Sequence, residues 1–573
     1  MKQVKDPVYG YISLENEICT RCIDTPEFQR LRRIVQTSYA PLYPSALHNR
    51  FVHSLGVYFL GCRASAVLDK SVRRLLHMGS EDIEPSEEDS RVIYKHWQNS
   101  RETFETACLL HDFGHAPFSH SGEVFFASQP KDLDDQLKAV VGDPTFSMDV
   151  DANAATRAKN HEIMSAILGI ERFGDHIKNR SLFARAITGY RYQAPLLSPD
   201  LQLDNALIQM LNSNTIDVDK LDYLVRDAYV VGFDSVNLDY VRLLDGLRII
   251  KNTIGDYELA YHKSALSVLE NVVYARDFEK KWIQSHPVIL YDQMLIKHAI
   301  QEADSKVRAK GAFTSPTVLF SKDALTSNGV TGAGGEHVRW VSDEDVLFIA
   351  KNRCTEDSLV EEYFARNERR HPLWKSEAEY RAIFGDKNST VVHKIKELMY
   401  NLEKYLLTSG KAPLLNASLI ASLESERQKI NDDNENEKEL AQQLDEWITL
   451  LKYLENFCDK TICSTMNEGI NAEPSIDFDF VLIASDTFES GFKGDSFNKI
   501  RIVFSDEESA MDYCFSDVSN HIKYENAFND ASEHIKYENE SEHFYYLFHK
   551  RAGKPDFPKN DFINCLITHY TRK

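Results

Sequence analysis

Between Leu109 and Glu123 the chain reads LLHDFGHAPFSHSGE, which brings three imidazoles (His111, His115, His120) and two carboxylates (Asp112, Glu123) into one short word. Imidazole nitrogen with carboxylate oxygen is the mixed donor set that borderline divalent ions such as Fe, Mn, Co, Ni or Zn accept. A lone histidine is more often a satisfied polar side chain than a ligand. Three of them beside a His-Asp pair, at a helix end broken by Gly114 and Pro117, point to a site. Neighbours on a helix point about 100° apart, so His111 and Asp112 reach one ion only from its rim, and other ligands must come from elsewhere. His53, in HNRFVHSLG, and Asp219, in IDVDKLDYLVRD, are the candidates.

The elements that must position them read mainly as helices from about residue 15 to about 300. Thr25-Pro26 supplies a cap and a proline at the first helical position. Val57–Leu68, Glu105–Leu110, Glu162–Ile170 and Leu221–Tyr229 carry apolar residues at three- and four-residue spacing. Gly79–Asp89 reads as a solvated acidic loop, Met148–Ala158 as a connection, and Thr326–Gly335 as a flexible segment. Further on, Val391–Leu407 and Leu415–Tyr453 again read as helices, with Glu424–Glu439 a solvated charged face. Residues 476–485 and 499–504 read as strands. The word HIKYEN occurs at His521–Asn526 and again at His534–Asn539, a local duplication rather than a solenoid.

Composition narrows the class. The 573 residues carry 66 Lys+Arg against 88 Asp+Glu, a net charge of 66 − 88 = −22, with 43% hydrophobic and 27% charged residues. A sizeable core is expected, in more than one domain. An acidic surface repels phosphate backbones, so nucleic acid is an unlikely partner, although one basic pocket for a nucleotide is compatible with it. No run approaches about 18 consecutive apolar residues, and the N-terminus lacks a signal-peptide core, so no membrane association is expected. Nine cysteines suit a reduced, cytoplasmic protein. Cys19 and Cys22, a lone CxxC, read as two small residues on a helix face rather than as zinc or redox ligands.

The words DPVYGYISL, IDTPEFQRLRRIVQ, HNRFVHSLG, HDFGHAPFSH and DVDKLDYLVRD occur in this order from Asp6 to Asp227. Together they resemble the HD-domain deoxynucleoside triphosphate triphosphohydrolases, the group of bacterial dGTPases and the SAM-and-HD-domain protein, here without a SAM domain. The resemblance implies a mainly α fold, with a helical HD core over residues 1–300 and a mixed α+β lobe over 301–573 serving oligomerisation or regulation. It implies that His53, His111, Asp112 and Asp219 bind a divalent metal, with Mg2+ carried by the substrate triphosphate. A bound cation acidifies water and so supplies a nucleophile near neutral pH. His120 matches the general acid, and Glu123 and His161 match the pair that orients it; the family usually has Asp where Glu123 stands. His115, Arg50 and Lys220 match phosphate contacts, while Gln36, Tyr223 and Asp227 match groups that hold the 3′-hydroxyl and crowd the 2′ carbon.

In the SAM-and-HD relatives, activator nucleotides bound between subunits assemble a tetramer. Lys2, Gln3, Asp24, Gln29 and Arg32 fall on the guanine-nucleotide positions, with Gln3 departing in type. Tyr43, Arg242 and Arg276 fall on the neighbouring deoxynucleotide site, where Phe278 and Trp282 replace an expected Lys and Asn. A salt-bridged surface is the competing reading of these residues. The expected function is metal-dependent hydrolysis of dNTPs to deoxynucleoside and triphosphate by a nucleotide-activated homo-oligomer, with dNTP depletion during phage defence as its setting. The alternatives are an HD phosphohydrolase of another nucleotide phosphoester, and a nucleotide-sensing module with weak catalysis.

Overall fold

The computed structural model describes residues 2–77, 88–126, 130–153, 156–193, 197–233, 237–252, 254–309, 318–331, 337–354, 356–366, 369–384, 389–430, 435–467, 476–488, 490–491, 497, 499–505, 512–519, 543–552, 554 and 557–571. Both HIKYEN copies and residues 79–87 of the acidic loop lie outside these. The fold is mainly α with small sheets. Two compact units share the chain. One groups Met1–Glu279, Glu302–Arg353 and Glu489–His534; the other groups Lys280–Gln301, Cys354–Phe488 and Ile535–Lys573.

The first unit opens with a hairpin, β1 (Lys2–Asp6) and β2 (Gly10–Leu14), paired Lys2↔Leu14 through Asp6↔Gly10. Asp6 shapes the turn, its Oδ1 accepting from the amides of Val8 (2.8 Å) and Tyr9 (3.0 Å). Two short helices follow, α1 (Glu17–Ile23) and α2 (Pro26–Gln29), the latter capped by Thr25 with Pro26 at its first position. Cys19 and Cys22 lie buried and free in α1. Burial pushes the Cys22 thiol up to about 12, which disfavours its thiolate.

The helices of this unit carry the chemistry. In α3 (Arg50–Leu75), Asn49 caps the first turn and buried residues cover most of the circumference. α4 (Glu88–Leu110) buries Trp97, Phe104 and the Ala107–Leu110 run that leads into the histidine word. The two helices approach so closely that a Cβ at Gly61 would stand 2.5 Å from the Cys108 Sγ. Helices α5 (Pro130–Val141), α6 (Pro144–Ala152), α7 (Asn160–Phe173), α8 (Arg180–Thr188), α9 (Pro199–Leu211) and α10 (Val218–Val231) continue the unit. A short helix, α11 (Tyr240–Asp245), leads to the antiparallel pair β3 (Leu247–Lys251) and β4 (Tyr257–His262), and α12 (Leu266–Phe278) follows. A distant strand, Arg501–Val503, pairs parallel to β4 and antiparallel to Asp512–Cys514, completing a four-stranded sheet.

Among the described residues α3 is long and apolar enough to cross a bilayer, but 67% of its most apolar window is buried inside the protein, as befits a core helix. The connection expected at Met148–Ala158 is corrected: α6 runs to Ala152. Asp143 caps it, its Oδ1 accepting from the Thr145 amide at 2.9 Å, with Pro144 at the first position. The 326–335 segment is in part a strand, Val330–Thr331 pairing with His337–Val338.

In the second unit a four-stranded antiparallel sheet places His543–His549 between Phe480–Asp486 and His371–Pro372, with Leu414–Leu415 on the far edge. Helices Ser389–Thr408, Ala417–Arg427 and Glu435–Asn467 surround it, and Trp374, Trp447, Tyr545 and Phe562 fill the core. The segment Leu415–Tyr453, read as helical, begins in the edge strand and continues in the two helices Ala417–Arg427 and Glu435–Asn467.

Candidate metal centre and adjoining histidine cluster

Helices α3, α4 and α10 meet at one point. His53 stands one turn into α3, His111 and Asp112 follow the last residue of α4, and Asp219 lies in the first turn of α10. The His53 Nε2 is 3.2 Å from the His111 Nε2, 3.0 Å from the Asp219 Oδ1 and 3.6 Å from the Asp112 Oδ2. The His111 Nε2 is 3.5 Å from Asp112 and 3.7 Å from Asp219. Donor atoms about 2.0–2.2 Å from a shared ion stand roughly 3–3.6 Å from one another, which is the spacing found here.

The tautomers agree. His111 donates from Nδ1 to the Cys108 carbonyl at 2.9 Å, and His53 donates from Nδ1 to the Asp222 Oδ2 at 2.7 Å. Each ring therefore turns the lone pair of its Nε2 towards the same point. His53, His111 and Asp219 group closely enough to hold a divalent ion, with the Asp112 carboxylate beside them, and the donor types are compatible with one. Burial works against charge on His53, yet the bonds to Asp219 and Asp222 carry its pKa up to about 10, so a metal ion at Nε2 takes the place of a proton there. Burial likewise opposes ionisation of Asp112 and Asp219, but their cationic neighbours hold both below the usual carboxylate range.

Behind His53 lies a buried charge chain missing from the sequence reading. Asp222 accepts both Nε (2.9 Å) and Nη2 (3.0 Å) of Arg226, whose Nη1 bonds the Asp6 Oδ2 at 2.9 Å. Gly56 makes room for it, since a Cβ there would lie 1.8 Å from the Asp222 Oδ1. Arg226 therefore pairs with Asp222 and Asp6, not with Asp227.

The second cluster sits on the loop after α4. His120 Nδ1 is 2.6 Å, and His161 Nδ1 2.7 Å, from the same Glu123 Oε1. His115 stacks on His161 with centroids 4.2 Å apart, and neither of its buried ring nitrogens has a hydrogen-bond partner. Burial and the neighbouring Arg50, His161 and His120 lower the His115 pKa far below its ordinary value, so it is a neutral imidazole rather than a fixed positive charge. Desolvation also lowers the His120 pKa, against the Glu123 bond. His161 goes the other way, because the Glu123 carboxylate outweighs burial. The loop is tightly shaped. Phe118 (φ 59°) and Ser119 (φ 53°) are consecutive left-handed residues with side chains, a conformation that costs on the order of 1–3 kcal/mol each.

The remaining sequence candidates fall into place around these clusters. Arg50 donates to the Asp112 Oδ2 (2.7 Å) and the Ser119 Oγ (2.9 Å), bracing the metal side against the loop. Lys220 is held by Asp217 (2.6 Å) and the Ser213 carbonyl (2.7 Å). Gln36 is buried with an unpartnered Oε1, and Asp227 stands 2.7 Å from His48. Burial raises the Asp227 pKa to about 7 and lowers that of His48 to about 3, so His48 is a neutral imidazole near neutral pH. Tyr223 shares the α10 face with Asp219 and Asp227, and burial raises its pKa strongly.

The activator candidates make mostly local bonds. Lys2 pairs with Asp24, Arg32 donates to Gln29 (2.8 Å) while lying over the Phe51 ring, and Gln3 bonds Ser13 at 3.3 Å. Tyr43 packs on Phe233, which packs on Phe278; Arg242 donates to the Ser264 carbonyl at 2.7 Å. Arg276 lies over the Phe497 ring, whereas Trp282 belongs to the second unit and is 52% exposed.

No family model matches the chain. The deoxynucleoside triphosphate triphosphohydrolase SAMHD1 of Danio rerio is 27% identical over 337 residues, 57% of this chain and 49% of that protein. The human SAMHD1 is 25% identical over 445 residues, covering 74% and 61%. The putative HD domain-containing protein L394 of Acanthamoeba polyphaga mimivirus is 29% identical over 297 residues, covering 51% and 55%. The chain is thus similar to HD-domain and dNTPase-like proteins. It spans about half the length of the curated relatives it matches.

Two measurable consequences follow from the HD centre and its neighbours. Asp222→Asn removes the charge that orients His53 and strands Arg226, so divalent-metal affinity should fall about 10- to 100-fold by competition with a chromogenic chelator. An unchanged affinity would contradict the orienting role. Glu123→Gln tests the relay. The raised His161 pKa contributes stability that is fully present below about pH 6.5 and is lost as pH rises through its folded value. The lowered Glu123 pKa contributes stability present above about pH 4.3 and lost only as pH falls through its folded value. The melting-temperature gap between wild type and Glu123→Gln should therefore be widest near pH 5.5–6.5 and narrow towards alkaline pH; a pH-independent gap would contradict the pairing.

Proposed function

We propose that this chain hydrolyses deoxynucleoside 5′-triphosphates at the 5′-oxygen–α-phosphorus bond, yielding deoxynucleoside and inorganic triphosphate. The observation that carries this reading is the placement of the four metal-type donors beside the His120–Glu123–His161 relay. A divalent ion held by His53, His111, Asp112 and Asp219 would act as a Lewis acid and as the source of an activated water.

The chain's own groups do the rest. His115, neutral and with unpartnered ring nitrogens, donates a hydrogen bond to a phosphate oxygen, and Lys220 lends its charge from the other side. His120 gives its proton to the departing 5′-oxygen, and Glu123 stabilises the imidazolium before the transfer. His161 holds Glu123 from behind. At the sugar, the unpartnered Gln36 Oε1 accepts the 3′-hydroxyl proton while Tyr223 crowds the 2′ carbon, which excludes ribose by clash. The second unit, which holds none of these residues, serves assembly or regulation; the activator contacts, Lys2, Asp24, Gln29, Arg32, Tyr43, Arg242 and Arg276, belong to the first unit.

Product analysis decides the reading. Each dNTP, alone and in mixtures, is incubated with the purified chain and Mn2+, Fe2+, Co2+, Ni2+ or Zn2+ in the presence of Mg2+. Inorganic triphosphate and free deoxynucleoside are expected; pyrophosphate or orthophosphate as the only inorganic product would reject it. Activity appearing only in mixtures supports the activator contacts, and full activity on single dNTPs removes them from the proposal.

A further inference from the structure

The loop that carries His120 has an anchor more than two hundred residues away in sequence. Asp343, 5% exposed at the start of the helix Asp343–Arg353, accepts the Phe118 amide on Oδ1 at 2.6 Å and the Val35 amide on Oδ2 at 2.8 Å. Phe118 is the first of the two left-handed residues, and Val35 immediately precedes Gln36. The same two strands of chain are bonded to each other, because the Ser119 hydroxyl donates to the Val35 carbonyl. The buried Arg30 secures the other end of the loop, donating to the carbonyls of Phe113 (3.1 Å), His115 (2.9 Å) and Val341 (3.1 Å).

A left-handed pair of side-chain-bearing residues persists only where its surroundings over-determine it. A buried carboxylate taking the amide of Phe118 supplies that determination, and it leaves Gly122 so close to Pro117 that a Cβ would stand 1.9 Å from the Pro117 carbonyl oxygen. The turn thus closes on itself and points His120 back at Glu123. Asp343 touches none of the four metal-type donors and none of the relay side chains. Its hydrogen bonds run to two backbone amides, and its carboxylate also faces the guanidiniums of Arg30 and Arg50.

We infer that Asp343 is a positioning residue for catalysis, fixing the backbone of Phe118 and Val35 so that His120 and Gln36 face one substrate from opposite sides. The kinetic part of this inference rests on the dNTP hydrolase reading above; the structural part does not.

The test is Asp343→Asn, which keeps the shape but sets an amide NH2 against one of the two N–H donors, with Asp343→Ser as the second variant. With dNTP as substrate, kcat should fall about 10- to 100-fold, as expected of a reacting group displaced by an ångström or less. In a His120→Asn background the same change should cost less than about threefold, since the two residues act as one unit. Hydrogen-exchange mass spectrometry should show peptides spanning 113–122 exchanging about tenfold faster, with bound metal per chain unchanged. Unaltered exchange with kcat within about threefold of wild type would overturn the inference. So would loss of bound metal or of cooperative unfolding in both variants, which would make Asp343 part of the scaffold only. If the wild type hydrolyses no dNTP, the functional reading fails, and the exchange measurement alone decides the role of Asp343.

Discussion

Asp219→Ala should purify with less than about one-tenth of the wild-type metal content and lose dNTP turnover by at least about 10³-fold. The expectation follows from how charge is distributed over the centre. Two carboxylates face the ion, but Asp112 is already shared with Arg50 at 2.7 Å. Asp219 faces the imidazoles of His53 (3.0 Å) and His111 (3.7 Å) across the centre, and its side chain is 38% exposed, so it supplies the anionic charge that a dication meets first. Without it the site keeps two neutral ligands and one compensated carboxylate, a poor match for any ion of the borderline class. Elemental analysis of wild type, Asp219→Ala and His111→Ala, prepared side by side in metal-supplemented medium, reads the first half of the prediction. The second half is read by turnover before and after chelation: adding Mn2+ back should restore the stripped wild type and leave Asp219→Ala inactive. A variant that retains metal and turns over within about threefold of wild type would remove Asp219 from the centre and sink the functional proposal with it.

Much of this centre was legible before any coordinates, and the reason is local. His111 and Asp112 are neighbours in sequence at the end of an apolar helix, and His53 and Asp219 each sit in a distinctive word. The packing of α3, α4 and α10 was not needed to name them, only to bring them together. The charges behind them were illegible for the converse reason. Asp222 lies three residues after Asp219, yet its partners are Arg226 on the next turn and, through Arg226, Asp6 in the N-terminal hairpin. Which buried carboxylate meets which guanidinium is a tertiary matter with no spacing rule. Arg30 and Asp343 show the same limit across more than three hundred residues.

The fold followed the same division. Helices with a clear apolar period lay where that period put them. The first part of the connection read at Met148–Ala158 belongs to α6, which ends at Ala152, because Asp143-Pro144, a cap and a first-turn proline, starts a helix there. Two strands of similar appearance, Phe480–Asp486 and Arg501–Val503, joined sheets in different units. Strand character is local, but choice of partner is not.

His120→Asn should leave bound metal unchanged and KM within about threefold while lowering kcat by about 10²- to 10⁴-fold, the range for removing a positioned general acid. The retention of metal follows from geometry, since His120 is bonded to Glu123 and packs edge-on to His115 and His161, and none of these is among the four donors. The loss in kcat follows from the leaving group: a deoxynucleoside 5′-oxygen departs as a strongly basic alkoxide unless it is protonated as the bond breaks. That same reasoning supplies an internal control. A 5′-phosphodiester of thymidine with p-nitrophenol has a leaving group that needs no proton, so whatever rate the wild type shows on it should fall far less in His120→Asn than the dNTP rate does. Equal losses on both substrates would mean that His120 binds phosphate or shapes the loop instead of donating a proton. In that event the proton donor must be sought elsewhere in the cleft, with His161, whose pKa Glu123 holds above its ordinary value, next in line.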